Sequence, residues 1–161
     1  MNPKVLLAIT GTTGAGKTTF VSSLQCPKLF IGSELRVKYG ESYFIKQKNS
    51  GAPPSMDVEI ENMVIEFLEM NSHATLLAIE SLPRSTTQLL LLNKIKEFGW
   101  LPIVLFIDAP KEVRLERVSR RDHTKEMNEL SVKRINEEDY NGLVKELKAI
   151  DDILFTSLCS G

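Results

Sequence analysis

Side chains that bind metals or form disulfides are scarce in this sequence. The 161 residues include two cysteines, Cys26 and Cys159, and two histidines, His73 and His123. Both pairs lie far apart in the chain and neither has a metal-ligand spacing. The sequence therefore predicts reduced thiols and no structural metal. Long apolar runs are missing as well: the opening MNPKVLLAITG meets a glycine too soon for a membrane span or a secretion signal. Charge imbalance is also absent. Twenty basic residues against 21 acidic ones leave a net charge of −1, which excludes a general nucleic-acid binder or a polybasic membrane binder. Any anion site must come from local arrangement. The expected setting is cytoplasmic, with no membrane or nucleic-acid partner, and a monomer is favoured while the oligomeric state stays open.

What is present is an ordinary globular composition, 42% hydrophobic and 25% charged, enough for one domain with a real core. No repeat, low-complexity tract or linker divides residues 1–161. Short apolar runs at 4–9, 29–31, 75–79, 102–107 and 153–158 read as strands. Helical patterns lie between them: 17–25, a polar helix from about 33, an apolar stripe over 56–70, then 85–98, a basic helix over 111–121, and a mostly helical stretch over 131–150. Residues 40–55, with two glycines and a Pro-Pro pair, are expected to be partly loop. Alternation of strand and helix predicts an α/β fold with a mainly parallel five-stranded sheet flanked by helices.

The first chemistry lies at residues 11–18, GTTGAGKT, which fits G-x-x-x-x-G-K-[ST] between a buried strand and a helix. In that context the glycines let backbone N–H groups wrap a phosphate. The sequence thus predicts a P-loop nucleoside triphosphate-binding fold. Gly11, Thr12, Thr13, Gly14, Ala15, Gly16, Lys17, Thr18 and Thr19 form its donor-nucleotide site. Lys17 is expected on the β- and γ-phosphates of ATP, and Thr18 on Mg²⁺. A guanine-reading switch is excluded: Asn93-Lys94-Ile95-Lys96 lacks the required aspartate, and Asp139-Tyr140-Asn141-Gly142 comes too late in the chain.

The second chemistry follows the third strand, in ESLPRSTTQ at 80–88. Glu80 ends that strand, where it is either a loop-edge carboxylate or an acid that holds Mg²⁺ through water. Arg84 falls at the carboxyl end of the sheet, where ligands of open α/β sheets bind. Gln88 has two readings, a ligand contact or the closing residue of a capping box begun by Ser85. On the basic helix, Arg114, Arg117 and Arg121 share a face by their spacing, while Arg120 can pair with Glu116. That face is either solvated or directed at a polyphosphate.

Together these stretches resemble the nucleoside monophosphate kinases of the adenylate kinase-like group, over most of the chain. The carriers are GTTGAGKTT; GSELR at 32–36, against T-G-D-x-L-R; ESLPRSTTQ, against D-G-F-P-R-x-x-x-Q; and RLERVSRRD at 114–122 followed by VKRI at 132–135. The resemblance implies that Arg84 grips an acceptor monophosphate and that Gln88 reads its base. It also implies that Gly32 and Arg36 shape an acceptor pocket within about residues 29–71. Arg117, Arg121 and Arg134 would surround the transferring phosphoryl group, with a short lid at about 122–133. Small-molecule nucleotides are the implied partners, ATP and Mg²⁺ the implied cofactors.

Three departures bear on the acceptor. Ile31 stands where a threonine or serine is usual, Ser81 replaces the glycine of D-G-F-P-R, and the lid is short. The identity of the base stays open. FIDAPKEVRLERVSRRD also resembles the corresponding part of dephospho-coenzyme A kinases, which lack Pro-Arg-x-x-x-Gln. A nucleotide-binding regulator without turnover is the third alternative.

Overall fold

Apolar runs bounded by glycine, proline and polar turns form the strands, and their alternating side chains divide the core into two layers. In a computed structural model, which describes residues 3–40, 56–150 and 154–160, the strands are β1 (Val5–Gly11), β2 (Lys28–Phe30), β3 (Leu76–Glu80), β4 (Leu101–Asp108) and β5 (Leu154–Cys159). The helices are α1 (Lys17–Ser22), α2 (Ile31–Tyr39), α3 (Asp57–Met70), α4 (Leu89–Glu97), α5 (Lys111–Arg121), α6 (Lys125–Glu137) and α7 (Asn141–Ala149). The five strands make one sheet in the order β2-β3-β1-β4-β5. Every pairing is parallel, as parallel strands joined by helical crossovers require.

Side chains alternate across the strands. Leu6 and Ala8 of β1, Leu77 and Ile79 of β3 and Val104 of β4 face one layer, with Leu35, Val64, Leu92 and Leu147 from helices α2, α3, α4 and α7. Ile9, Ala78 and Ile107 face the other, against Val21 of α1. Each fully buried leucine or isoleucine contributes on the order of 1.5–3 kcal/mol by leaving water. Because β1 sits between β3 and β4, its chain leaves the sheet where the connections on either side diverge. That crevice at the carboxyl ends is where such sheets hold ligands. Among the described residues, no helix is long and apolar enough to cross a membrane.

Two elements differ from the sequence reading. The second helix starts at Ile31, directly off β2. The helix expected over 85–98 opens as a 3-10 turn, Thr86–Gln88, before α4 begins. Residues 131–150 are mostly helical as expected, divided between α6 and α7. The segment named as a short lid, 122–133, includes the start of α6 at Lys125, where the Thr124 hydroxyl accepts from the Met127 N–H at 3.1 Å. The loop expected at 40–55 lies, apart from Gly40, outside the described residues.

Candidate functional site

The glycine-rich segment is pressed into place by its neighbours. At Gly11 φ is 140° and a Cβ would lie 1.9 Å from the Ile107 carbonyl oxygen, so only glycine lets β1 and β4 close at this point. At Gly14 φ is 79° and a Cβ would lie 2.9 Å from the Arg114 carbonyl oxygen, which brings the loop against α5. The threonines between them are buried and serve as anchors. The Thr12 hydroxyl donates to Asp108 Oδ1 at 2.7 Å. Thr13 donates its N–H to Glu138 Oε1 at 2.9 Å and its hydroxyl to Glu138 Oε2 at 3.0 Å.

Lys17 folds back on this loop, its Nζ donating to the Thr12 carbonyl at 2.8 Å and to the Gly11 carbonyl at 3.2 Å. Burial lowers its pKa to about 8, with the positive charge of Arg84 acting in the same direction and Glu80 opposing it. At the next residue, the Thr18 hydroxyl donates to Glu80 Oε2 at 3.3 Å, while the Ser81 hydroxyl donates to Glu80 Oε1 at 2.9 Å. A hydroxyl and a carboxylate this close suit a hard cation. Among the described residues no group of three or more His, Cys, Asp and Glu could hold a metal. A magnesium ion here would take its remaining ligands from water and phosphate, which is its usual habit.

Opposite the loop, α2 presents Arg36, the turn after β3 presents Arg84, and α5 and α6 present Arg121 and Arg134. With Lys17 and Arg117 they line one cavity of about 940 Å³. Their mutual repulsion is visible at Arg134, whose pKa falls to about 10 through burial first and then through the charges of Arg84, Arg36 and Arg121. Arg117 Nη1 donates to the Gly14 carbonyl at 3.3 Å and to Ser160 Oγ at 3.2 Å. Arg121 donates to Asp122 Oδ1 and Ser131 Oγ, both at 2.9 Å. Gly32 lies beside Arg36, where a Cβ would sit 3.4 Å from Arg36 Nη1, an ordinary contact.

The cavity thus brings together Thr13 to Thr19, Gly32, Arg36, Glu80, Arg84, Arg117, Arg121 and Arg134. Gly11, Thr12 and Gln88 are not among the residues that line it. Gln88 is 9% exposed; its Oε1 accepts from the Arg84 N–H at 2.8 Å and its Nε2 donates to Asp57 Oδ1 at 3.3 Å. The expected capping box is not formed, because the Ser85 hydroxyl pairs with Thr87 at 2.8 Å and Gln88 reaches one residue too far back. Gln88 therefore secures the backbone that carries Arg84. Gln88→Ala is expected to lower stability by about 1–3 kcal/mol, the cost of a buried N–H left without a partner. Any preference among ligands should survive the change. Thermal melts together with a ligand ranking on the same variant test this.

Sequence reasoning missed Asp108, Glu138, Tyr140 and Ser160. Asp108 ends β4 and Ser160 follows the neighbouring β5, so a parallel β4–β5 pairing could have pointed to them. Nothing local marks Glu138. Neither protein-family models nor curated proteins give a match to this chain.

Proposed function

We propose that the protein is a P-loop kinase of the nucleoside monophosphate kinase type, moving the γ-phosphoryl group of ATP–Mg²⁺ to a nucleoside monophosphate. The observation that carries this reading is the single cavity in which the glycine loop and Lys17 face Arg36, Arg84, Arg121 and Arg134. So many cations around one opening suit two phosphorylated ligands meeting end to end, rather than one small anion.

In this reading Lys17 and the loop N–H groups other than that of Thr13, which Glu138 holds, bind the donor's β- and γ-phosphates. Thr18, and Glu80 through water, would hold Mg²⁺, which when bound would offset charge on those phosphates. Arg84 and Arg36 hold the acceptor monophosphate. One of its oxygens forms the new bond to the γ-phosphorus as the bond to the bridging oxygen breaks, and ADP departs with that electron pair. An anionic phosphate oxygen needs no general base. Acceleration then comes from positioning and from Arg117, Arg121 and Arg134 offsetting charge on the group in transit.

ADP production measured over a panel of ribo- and deoxyribonucleoside monophosphates, with dephospho-coenzyme A included, tests the proposal. Turnover with at least one monophosphate is expected. Turnover with dephospho-coenzyme A alone would move the assignment to that acceptor, and nucleotide binding without ADP release would leave a regulator. Arg84→Ala is expected to raise the acceptor KM for every base alike, by an amount equivalent to roughly 1.5–3 kcal/mol for a lost charged hydrogen bond. An unchanged acceptor KM would remove Arg84 from this role.

A further inference from the structure

The three residues joining α6 to α7 are tied to both halves of the cavity, although neither Glu138 nor Tyr140 lines it. The Glu138 side chain is 6% exposed. A carboxylate so buried needs partners, and it has the Thr13 N–H at 2.9 Å, the Thr13 hydroxyl at 3.0 Å and Arg114 Nη1 at 2.9 Å. Arg114 is itself held by the Ala109 carbonyl, which accepts from its Nε at 2.9 Å. The glycine loop is therefore clamped through Thr13 by two residues that do not themselves line the cavity. Two residues later, the Tyr140 hydroxyl accepts from Arg84 Nη2 at 3.1 Å. Its ring meets Phe106 edge-on, with centroids 5.6 Å apart.

The connector between these two contacts has little slack. Glu138 donates its N–H to the Arg134 carbonyl at 2.8 Å, which continues the helix that bears Arg134. Asp139 Oδ1 accepts from the Asn141 N–H at 2.9 Å and closes the turn into α7. An extended chain covers at most about 3.6 Å per residue, so the two clasps lie within a short reach of each other, and loosening one leaves the connector held by the other.

We propose that Glu138 and Tyr140 are positioning residues on one rigid connector. Glu138 sets the glycine loop, Tyr140 sets Arg84, and the short chain between them fixes the spacing of the donor and acceptor phosphate sites. The inference rests on the kinase reading above, but its test separates the two. A merely structural connector would lower stability and change both substrates alike. A positioning connector gives a crossed pattern.

The experiment compares ATP and monophosphate KM values in wild type, Tyr140→Phe and Glu138→Gln, well below each melting temperature. Tyr140→Phe keeps the ring on Phe106 and removes only the hydroxyl. It is expected to raise the acceptor KM by about 3- to 10-fold, as for one lost hydrogen bond, and to leave the ATP KM unchanged. Glu138→Gln is expected to raise the ATP KM by about 10-fold, as for a charged hydrogen bond lost, with the acceptor KM unchanged. Should Glu138→Gln fail to fold, Arg114→Lys loosens the same carboxylate from a residue that does not line the cavity and carries the same expectation in direction. Wild-type turnover with both KM values moving together, or neither moving, overturns the inference and leaves the kinase reading standing. Wild type without turnover of any monophosphate removes both.

Discussion

Replacing Lys17 with methionine is expected to cut turnover by about 10²-fold or more and, at the same time, to stabilise the empty protein near pH 7. The first effect follows from the proposed contact between Nζ and the phosphates whose charge moves during transfer. The second follows from the unliganded site, where the ammonium is taken from water and placed near Arg84, lowering its pKa from 10.5 to about 8. Between those values the unfolded chain holds the proton and the folded one has released it. Stability therefore rises with pH across that window, and the full penalty applies below it. Methionine has no such penalty. Its advantage in thermal melts should be largest at pH 7 and should shrink as the pH rises from about 8 towards 10.5. A constant gap across this range would show that the lysine is not penalised by its site. Turnover within about threefold of wild type would take Lys17 out of the chemistry.

Gly11→Ala is expected to be the most damaging single change in the fold. Its Cβ would sit 1.9 Å from the Ile107 oxygen and 2.8 Å from the Ile107 carbonyl carbon and nitrogen. These are backbone atoms of the adjacent strand, so no rotamer change relieves the contact. The strands would have to part where Thr12 N–H meets the Ile107 carbonyl at 3.2 Å, and φ at Gly11 is already 140°. A loss of about 3 kcal/mol or more is expected, at or beyond the upper end of ordinary overpacking. Gly142→Ala provides the contrast. Gly142 lies in α7 with nothing within 4 Å of its would-be Cβ, and alanine there should stabilise by about 0.5–1 kcal/mol. Denaturant melts of the two variants give the comparison. Equal stabilities would show that β1 and β4 can separate freely beside the loop.

What could be read ahead was whatever is local in the chain. The KVLLAI run ending in glycines marked β1 and the turn after it, since a buried parallel strand and a tight turn each impose residue types on consecutive positions. The arginines of α5 were legible as one helical face, yet the fold sends each of the three to different partners. Arg114 goes to Glu138, Arg117 to the loop carbonyl of Gly14, and Arg121 to Asp122 and Ser131. Spacing supplies direction from the helix but not what stands opposite. Gln88 shows the same limit. Its position matched a capping box, but Asp57 and the Arg84 N–H, both outside the four-residue pattern, claim its amide. The Glu138–Thr13 bond joins residues 125 positions apart, beyond the reach of any window on the sequence. The start of α6 was available in Thr124, an N-cap residue type, but no glutamate or glutamine three positions on completes the box.

Ser81 has φ of 73° and is 8% exposed, with its N–H on the Ile9 carbonyl at 2.7 Å and its hydroxyl on Glu80. A left-handed backbone is most comfortable for glycine and tolerable for a few short polar residues. In evolutionary terms, this position has a narrow alphabet. Glycine relieves the torsion but gives up the hydroxyl that steadies Glu80; asparagine or aspartate tolerates the torsion and brings a different polar group to the same place. Valine, isoleucine and threonine are shut out by their branched Cβ. Drift at residue 81 is thus a choice between an easier backbone and a better-held carboxylate, and this chain has settled on the carboxylate.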